Sequence, residues 1–297
     1  MAYSKKRTSR AKKSRSNPIQ NQINLVLDGS ADTEAILRCD RVLSQMNHQL
    51  FRQSRNYCVK LDLDIAAAND TVIDVYTLVD TWWLKKAYNL AYETFVKNSS
   101  EESGQLKSMK ARWNDFRVDH GLASPAFDKQ LIACGYSTPG TEDTYASNQE
   151  YRMSEVHNTL GQTNTFRFIG SGTGTWNIID QYDLTGNTQS TPSIPTTEVA
   201  YDGLEDTLDD GQMDHLSGDG NVPPYDSINF ENGVLVRVAT LANFVTGPKL
   251  STGYFNAPAG LVVVQSRSNN LLPSDVMLTM TAKEGNYKGI HAPSMLE

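Results

Sequence analysis

The chain has little cysteine. Its 297 residues include three, Cys39, Cys58 and Cys134, widely spaced and with no CxxC pair. An odd, scattered set argues against a disulfide scaffold or a zinc site and is read as free thiols in a reducing compartment. Long hydrophobic runs are missing as well. No stretch nears the roughly 20 apolar residues that cross a bilayer, so no membrane partner is expected. The basic N-terminus has no apolar segment behind it and does not read as a secretory signal. The five histidines, His48, His120, His157, His215 and His291, form no HExxH-type pair. No GxSxG occurs, and the carboxylates follow no catalytic spacing. The reading is therefore a non-enzyme with no cofactor and no resident metal.

One sign of charge is also missing over long stretches. From Phe168 to Val236 there is no Lys or Arg, and residues 198–219 hold eight acids. These are Glu198, Asp202, Glu205, Asp206, Asp209, Asp210, Asp214 and Asp219, bracketed by Pro192, Pro195, Pro223 and Pro224. The opposite holds at the start. Residues 1–16 carry seven cations, Lys5, Lys6, Arg7, Arg10, Lys12, Lys13 and Arg15, and no acid. Setting them aside leaves 20 basic residues against 34 acidic ones, so a net charge of −7 conceals a body near −14. A basic arm on an acidic body binds polyanions locally. Residues 1–22 lack the apolar area to offset ordering entropy and are read as a disordered arm. Closely spaced cations on such an arm neutralise phosphates without reading sequence. A solvated basic tail or a nuclear-import signal is the competing reading.

The body reads as mainly β. Tyr57–Ile65 alternates Tyr57, Val59, Leu61, Leu63 and Ile65 with polar or small residues, the signature of a half-buried strand. After a turn at Ala66–Asp70, Val72–Val79 makes a second strand, paired with it in a hairpin or lying beside it. Further strands are expected at Thr163–Ile169, Thr175–Tyr182, Val234–Val245, Leu261–Gln265 and Val276–Ala282, with one short strand near 197–201. A short helix is expected within residues 30–46, burying Ile36, Leu37, Leu43 and Met46. Leu84, Ala87, Tyr88, Ala91, Tyr92 and Phe95 share a helical face. Ser99 and Glu102 have capping-box spacing, so a second helix carrying Leu106, Met109, Trp113 and Phe116 is expected to end near Gly121. These helices form an insertion at about 83–121, and long acidic loops occupy about 185–232. Seven or eight strands without βαβ alternation suggest an antiparallel sandwich or jelly roll over residues 23–297.

Four further features carry less weight. Gly170–Gly174 (GSGTG) follows a strand, but the residues after it read as a strand, so a hairpin turn is expected and not a phosphate loop. Asp206, Asp209, Asp210 and Asp219 lack calcium-loop spacing and read as a solvated outer surface. The aromatic stripe of Trp82, Trp83, Tyr88, Tyr92 and Phe95 reads as core. Lys85, Lys86, Lys97, Lys107, Lys110, Arg112 and Arg117 read as a solvated helix face, with an inner phosphate-contacting surface as the alternative.

Several segments resemble a known family. Arg41–Asp64 (RVLSQMNHQLFRQSRNYCVKLDLD), Val75–Trp83 with the following KKAYNLAYETF, Ala111–Gly121 (ARWNDFRVDHG) and Asn286–Leu296 (NYKGIHAPSML) look like capsid proteins of small circular, Rep-encoding single-stranded DNA viruses (CRESS-DNA, circovirus-like). The likeness covers a little under a quarter of the chain. It implies a jelly-roll capsid protein that self-assembles with identical subunits into a small icosahedral virion, usually of sixty copies. It implies single-stranded DNA, in preference to RNA, as the packaged genome. A host nuclear import receptor would read the arm, placing assembly in the host nucleus. Seven cations in each of sixty subunits would put about 420 inside the shell. The rival readings are an RNA-virus coat protein, a cellular β-sandwich binding module with a basic tail, and an enzyme of unrecognised type.

Overall fold

Alternation at Tyr57–Leu63 becomes a strand whose apolar members, Tyr57, Val59, Leu61 and Leu63, are all fully buried. The computed structural model describes residues 18–27, 34–64, 71–102, 113–121, 130–133, 153–157, 163–170, 174–187, 234–243, 250–267 and 277–296. In chain order the elements are β1 (Gln22–Leu27), β2 (Glu34–Arg38), α1 (Cys39–Asn47), β3 (Asn56–Asp64), β4 (Thr71–Leu78) and α2 (Trp82–Glu102). The short strands β5 (Gln130–Ala133), β6 (Glu155–His157), β7 (Thr163–Arg167) and β8 (Thr175–Asn177) precede α3 (Ile178–Asn187). The chain then forms β9 (Leu235–Asn243), β10 (Leu250–Pro258), β11 (Leu261–Ser266), β12 (Met277–Ala282), β13 (Glu284–Gly285) and β14 (Gly289–Ile290). Among the described residues the protein is mainly β, about 50% strand, with a large, nearly closed sheet and few helices.

That sheet has nine strands in the order β10-β3-β12-β1-β5-β2-β11-β4-β9. Two antiparallel quartets, β10-β3-β12-β1 and β2-β11-β4-β9, are joined through β5. β5 pairs antiparallel with β1 and parallel with β2. The end strands β9 and β10 also touch, which nearly closes the sheet. Ile23, Leu25, Leu37, Val59, Leu61, Ile73, Val75, Phe255, Val262, Val264, Leu278 and Met280 fill the space between the quartets. Each such side chain contributes about 1.5–3 kcal/mol on burial.

A second core covers the other face of the β2-β11-β4-β9 quartet. Ile36, Leu78, Leu261 and Val263 meet Leu84, Tyr88 and Ala91 of α2, Phe116 and Val118, and Phe166 and Phe168. Phe116 sits at its centre, with ring centroids 5.3 Å from Tyr88, 5.2 Å from Phe95 and 5.2 Å from Phe166. This quartet is therefore buried on both sides, which explains the unbroken apolar run Leu261–Val264 in β11. The outer face of the other quartet carries polar pairs, with Lys60 2.8 Å from Asp62 and Thr279 3.0 Å from Asn24.

Several expectations need correction. β3 and β4 are neither a hairpin nor neighbours; they lie in different quartets. Residues 34–38, expected to be helical, form β2, because Leu37 faces the inner core while Ile36 faces the outer one. Strands buried on both faces lose alternation, and the run mimics a helix segment. The helix expected to end near Gly121 is absent over 113–121. There Phe116 and Val118 alternate with Asp115 and Arg117 in an extended segment that bridges to Arg167 at Asp119. Ser99 is inside α2, where its hydroxyl donates to the Val96 carbonyl. β7 and β8 pair in parallel, so Gly170–Gly174 is not a hairpin turn. The segment after Trp176 is α3, capped by Asn177, whose Oδ1 accepts from the amides of Ile179 and Asp180. Strand β1 begins at Gln22, inside the range read as arm. Residues 1–17, the turn at 66–70 and the acidic segment at 198–219, with the strand expected near 197–201, lie outside the described residues.

Candidate nucleic-acid interface

Lys5, Lys6, Arg7, Arg10, Lys12, Lys13 and Arg15 lie outside the described residues. Their point of attachment is described, and it is built tightly. The Gln20 amide donates to Asn47 Oδ1 at 2.7 Å, and Asn47 Nδ2 donates back to the Gln20 carbonyl at 3.1 Å. Asn47, the last residue of α1, thus pairs with the chain as a neighbouring strand would. The Ala282 amide donates to the Asn21 carbonyl. Ile19 packs over Gly289, whose φ is +95° and where a Cβ would stand 2.9 Å from Ile19 Cδ1. Gly289 therefore serves both the turn and the close approach. Arg15 is four residues from Ile19, so covalent geometry keeps it within about 14 Å.

A cationic cluster borders this exit. Arg52 and Arg55 come from the segment between α1 and β3, and Lys288 from the turn between β13 and β14. Two aromatic rings hold the side chains of Arg55 and Lys288 and the backbone of Arg52. Phe51 and Tyr287 meet edge to face at 6.0 Å. The Arg55 guanidinium lies 4.2 Å from the Tyr287 centroid, and Lys288 Nζ lies 5.3 Å from Phe51 and 5.8 Å from Tyr287. Such contacts are worth about 0.5–2 kcal/mol each. The Arg52 amide donates to the Tyr287 hydroxyl across 235 residues of sequence. Tyr57 donates its hydroxyl to the Arg52 carbonyl, and Lys288 Nζ donates to the Leu50 carbonyl. Lys288 has φ of +51°, the left-handed region that costs a side chain about 1 kcal/mol. Burial first, then Arg52 and Arg55, lower the Lys288 pKa, while Asp115 opposes them.

Beneath the cluster lies a buried polar layer. Asp115 stands 3.9 Å from Arg52 and accepts from the Gln53 amide at 3.1 Å. The Gln53 side chain both donates to and accepts from the backbone of Val118. Arg38, Arg167 and His120 surround Asp119 at 3.8, 3.3 and 3.6 Å. Asp40, at the start of α1, is 2% exposed, and its Oδ1 has no hydrogen-bond partner. Burial raises its pKa to about 6 against the pull of Arg38 and Arg117. Burial likewise raises Asp115. These charges tie the 113–121 segment to α1 and to the Arg52–Arg55 segment, so they hold the cationic cluster from below.

The other sequence candidates separate. Tyr88, Tyr92 and Phe95 belong to the outer core, while Trp82 is exposed. Lys85 pairs with Asp80 at 3.2 Å, and Arg117 is buried in the polar layer, not displayed on a helix face. Lys107, Lys110, Arg112, Cys134 and the acids Asp206, Asp209, Asp210 and Asp219 lie outside the described residues. Cys39 and Cys58 are buried free thiols, and burial pushes the Cys39 thiol far up. Among the described residues no group of three or more His, Cys, Asp or Glu is placed to hold a metal. No helix among them is long and apolar enough to cross a membrane. Sequence reasoning missed Arg52, Arg55 and Lys288. Their sequence signal is slight: two arginines three apart, and a lysine between an aromatic residue and a glycine. No protein-family model, curated protein or solved structure matches this chain.

Proposed function

We propose that the chain is a capsid subunit that self-assembles into a small icosahedral shell and packages nucleic acid through its basic arm. The observation that carries this reading is the strand order. Numbered along the chain, the strands of the two quartets are β1, β2, β3, β4, β9, β10, β11 and β12. The first, eighth, third and sixth make one quartet; the second, seventh, fourth and fifth make the other. This order supports reading the domain as a jelly roll, in which a folded-over ribbon of strands is wrapped into two facing sheets. On this reading α2, β5–β8 and α3 are an insertion between the fourth and fifth strands, larger than the 83–121 span expected. The insertion adds the second core and supplies β5, which seals the gap between quartets.

The arm supports the second half of the proposal. Seven cations are tethered to a fixed exit at Ile19, beside further cations of the body. Single-stranded DNA is the genome implied by the resemblance of the segments at 41–64, 75–95, 111–121 and 286–296 to capsid proteins of small circular single-stranded DNA viruses. The function is assembly and not catalysis, with identical subunits, in the order of sixty, and the genome as partners. Recognition of the arm by an import receptor would bring the subunit to the host nucleus.

The test is the content of particles purified from expressing cells. The expected result is nucleic acid protected from added nuclease and, once released, degraded by a DNase but not by an RNase. It should be lost when the seven arm cations are all replaced by Gln. RNase-sensitive contents would make the chain an RNA-virus coat protein. Full-length DNA protected by the neutralised-arm variant would remove the arm's assigned role.

A further inference from the structure

We propose that Arg52, Arg55 and Lys288 form a second phosphate-binding site, fixed on the body, which continues the arm's track for single-stranded nucleic acid. The inference rests on the reading of the arm as a nucleic-acid binder. Four observations lead to it. Segments 235 residues apart meet at one pair of rings, Phe51 and Tyr287: Arg55 and Lys288 lie over the rings, and Arg52 is joined to them through its backbone amide on the Tyr287 hydroxyl. Among the described residues, the carboxylate that acts on Lys288 is Asp115; it is buried, stands 3.9 Å from Arg52, and already accepts from the Gln53 amide. The cluster therefore carries more positive than negative charge. Lys288 holds left-handed backbone, where Gly or Asn is the unstrained choice, so a cation occupies the turn at a conformational cost. Finally, Ile19, where the arm leaves, packs on Gly289 directly beside Lys288.

The chemistry selects the ligand. Cations of the arm and of the cluster repel one another, and a chain of phosphates lying across both relieves the repulsion at both. Tyr287 already carries the Arg55 guanidinium on its face at 4.2 Å, so that ring face is not open for stacking a base. The site is thus built for backbone phosphates, without sequence preference. A spacing of at most about 14 Å between Ile19 and Arg15 lets one strand pass from body to arm without a gap.

The test uses the full-length chain and a fluorescein-labelled thirty-nucleotide oligothymidine, with affinity followed against salt by anisotropy. The variant is Arg52→Gln with Lys288→Asn, since Asn takes left-handed backbone readily and the turn is kept. Losing two phosphate contacts should lower the slope of log affinity against log salt by about 1.4. Lys288→Arg alone should leave the slope at its wild-type value. Replacing all seven arm cations by Gln should lower it further, by up to about 5, and leave residual binding that Arg52→Gln with Lys288→Asn then abolishes. If the arm variant weakens binding and the body variant leaves the slope unchanged, the body site is overturned while the arm reading stands. If the body variant lowers the slope and the arm variant does not, the arm reading falls and the body site stands. An unchanged slope with impaired self-association would assign the three cations to a protein contact and overturn the proposal.

Discussion

Asp40 should make the fold more stable in mild acid than its neutral isostere would suggest. Its carboxyl is 2% exposed, Oδ1 has no hydrogen-bond partner, and burial raises its pKa from 3.8 to about 6. Arg38 and Arg117 pull the value down, while Asp115, itself raised, pushes it up. The sign follows from proton uptake. Above pH 6 the group is charged in both folded and unfolded chains, and the folded chain bears the full cost of burying it. Between pH 6 and 3.8 the folded chain holds more protons than the unfolded one, so this contribution to stability rises as pH falls. The full difference is on the order of 3 kcal/mol, of which about 2 kcal/mol falls between pH 7.5 and 4.5. Other carboxylates oppose the trend. Asp80, for instance, has a lowered pKa through its hydrogen bonds from Asn256, Asn56 and Lys85, which outweigh burial. The comparison must therefore be wild type against Asp40→Asn at each pH, by urea unfolding at one protein concentration so that self-association is held constant. The stability of Asp40→Asn relative to wild type should be about 2 kcal/mol more favourable at pH 7.5 than at pH 4.5. Parallel pH profiles for the two proteins would refute the reasoning.

Two other substitutions test the packing. Gly121 has φ of +78°, and a Cβ there would stand 1.7 Å from the Ile169 carbonyl oxygen, whereas Gly253, at φ of +70°, has nothing within 4 Å. Gly121→Ala should therefore cost several times more than Gly253→Ala, which bears only about 1 kcal/mol of backbone strain; thermal midpoints of the two variants give the comparison. Phe116→Ala should lose about 3–5 kcal/mol, the range for emptying a buried aromatic site, because four rings pack around it. A loss below 1 kcal/mol by denaturant titration would mean that the outer core is not packed as described.

What was legible in the sequence follows from how many faces an element buries. β3 keeps its alternation, which named Tyr57, Val59, Leu61 and Leu63 as inward; Ile65 lies outside the described residues. α2 likewise keeps its helical period, through Leu84, Ala87, Tyr88 and Ala91. β2 buries both faces, and Ala35-Ile36-Leu37 then passed for helix. β10 escaped notice because Gly253 interrupts it and its register shifts between Ser251 and Tyr254. β1 was hidden beside a polar stretch, although its Ile23 and Leu25 are buried. The helix α3 passed for a strand because Ile178 and Ile179 favour β structure; Asn177, the capping residue just before them, was the missed signal.

The candidate site divides in the same way. The seven cations of residues 1–16 are local in sequence and can be named without a fold, and they lie outside the described residues. Arg52, Arg55 and Lys288 were not legible, because the contact between Phe51 and Tyr287 that gathers them joins distant segments through the β3 to β12 pairing. The buried acids were equally opaque. Asp40 and Asp115 look like surface carboxylates until α1 and the 113–121 segment close over them.

The most direct test of the account is to image the purified full-length protein by electron microscopy. The account predicts closed, uniform, multi-megadalton particles with icosahedral outlines. A monomer or small oligomer under all assembly conditions would contradict it and favour a cellular β-sandwich binding module with a basic tail.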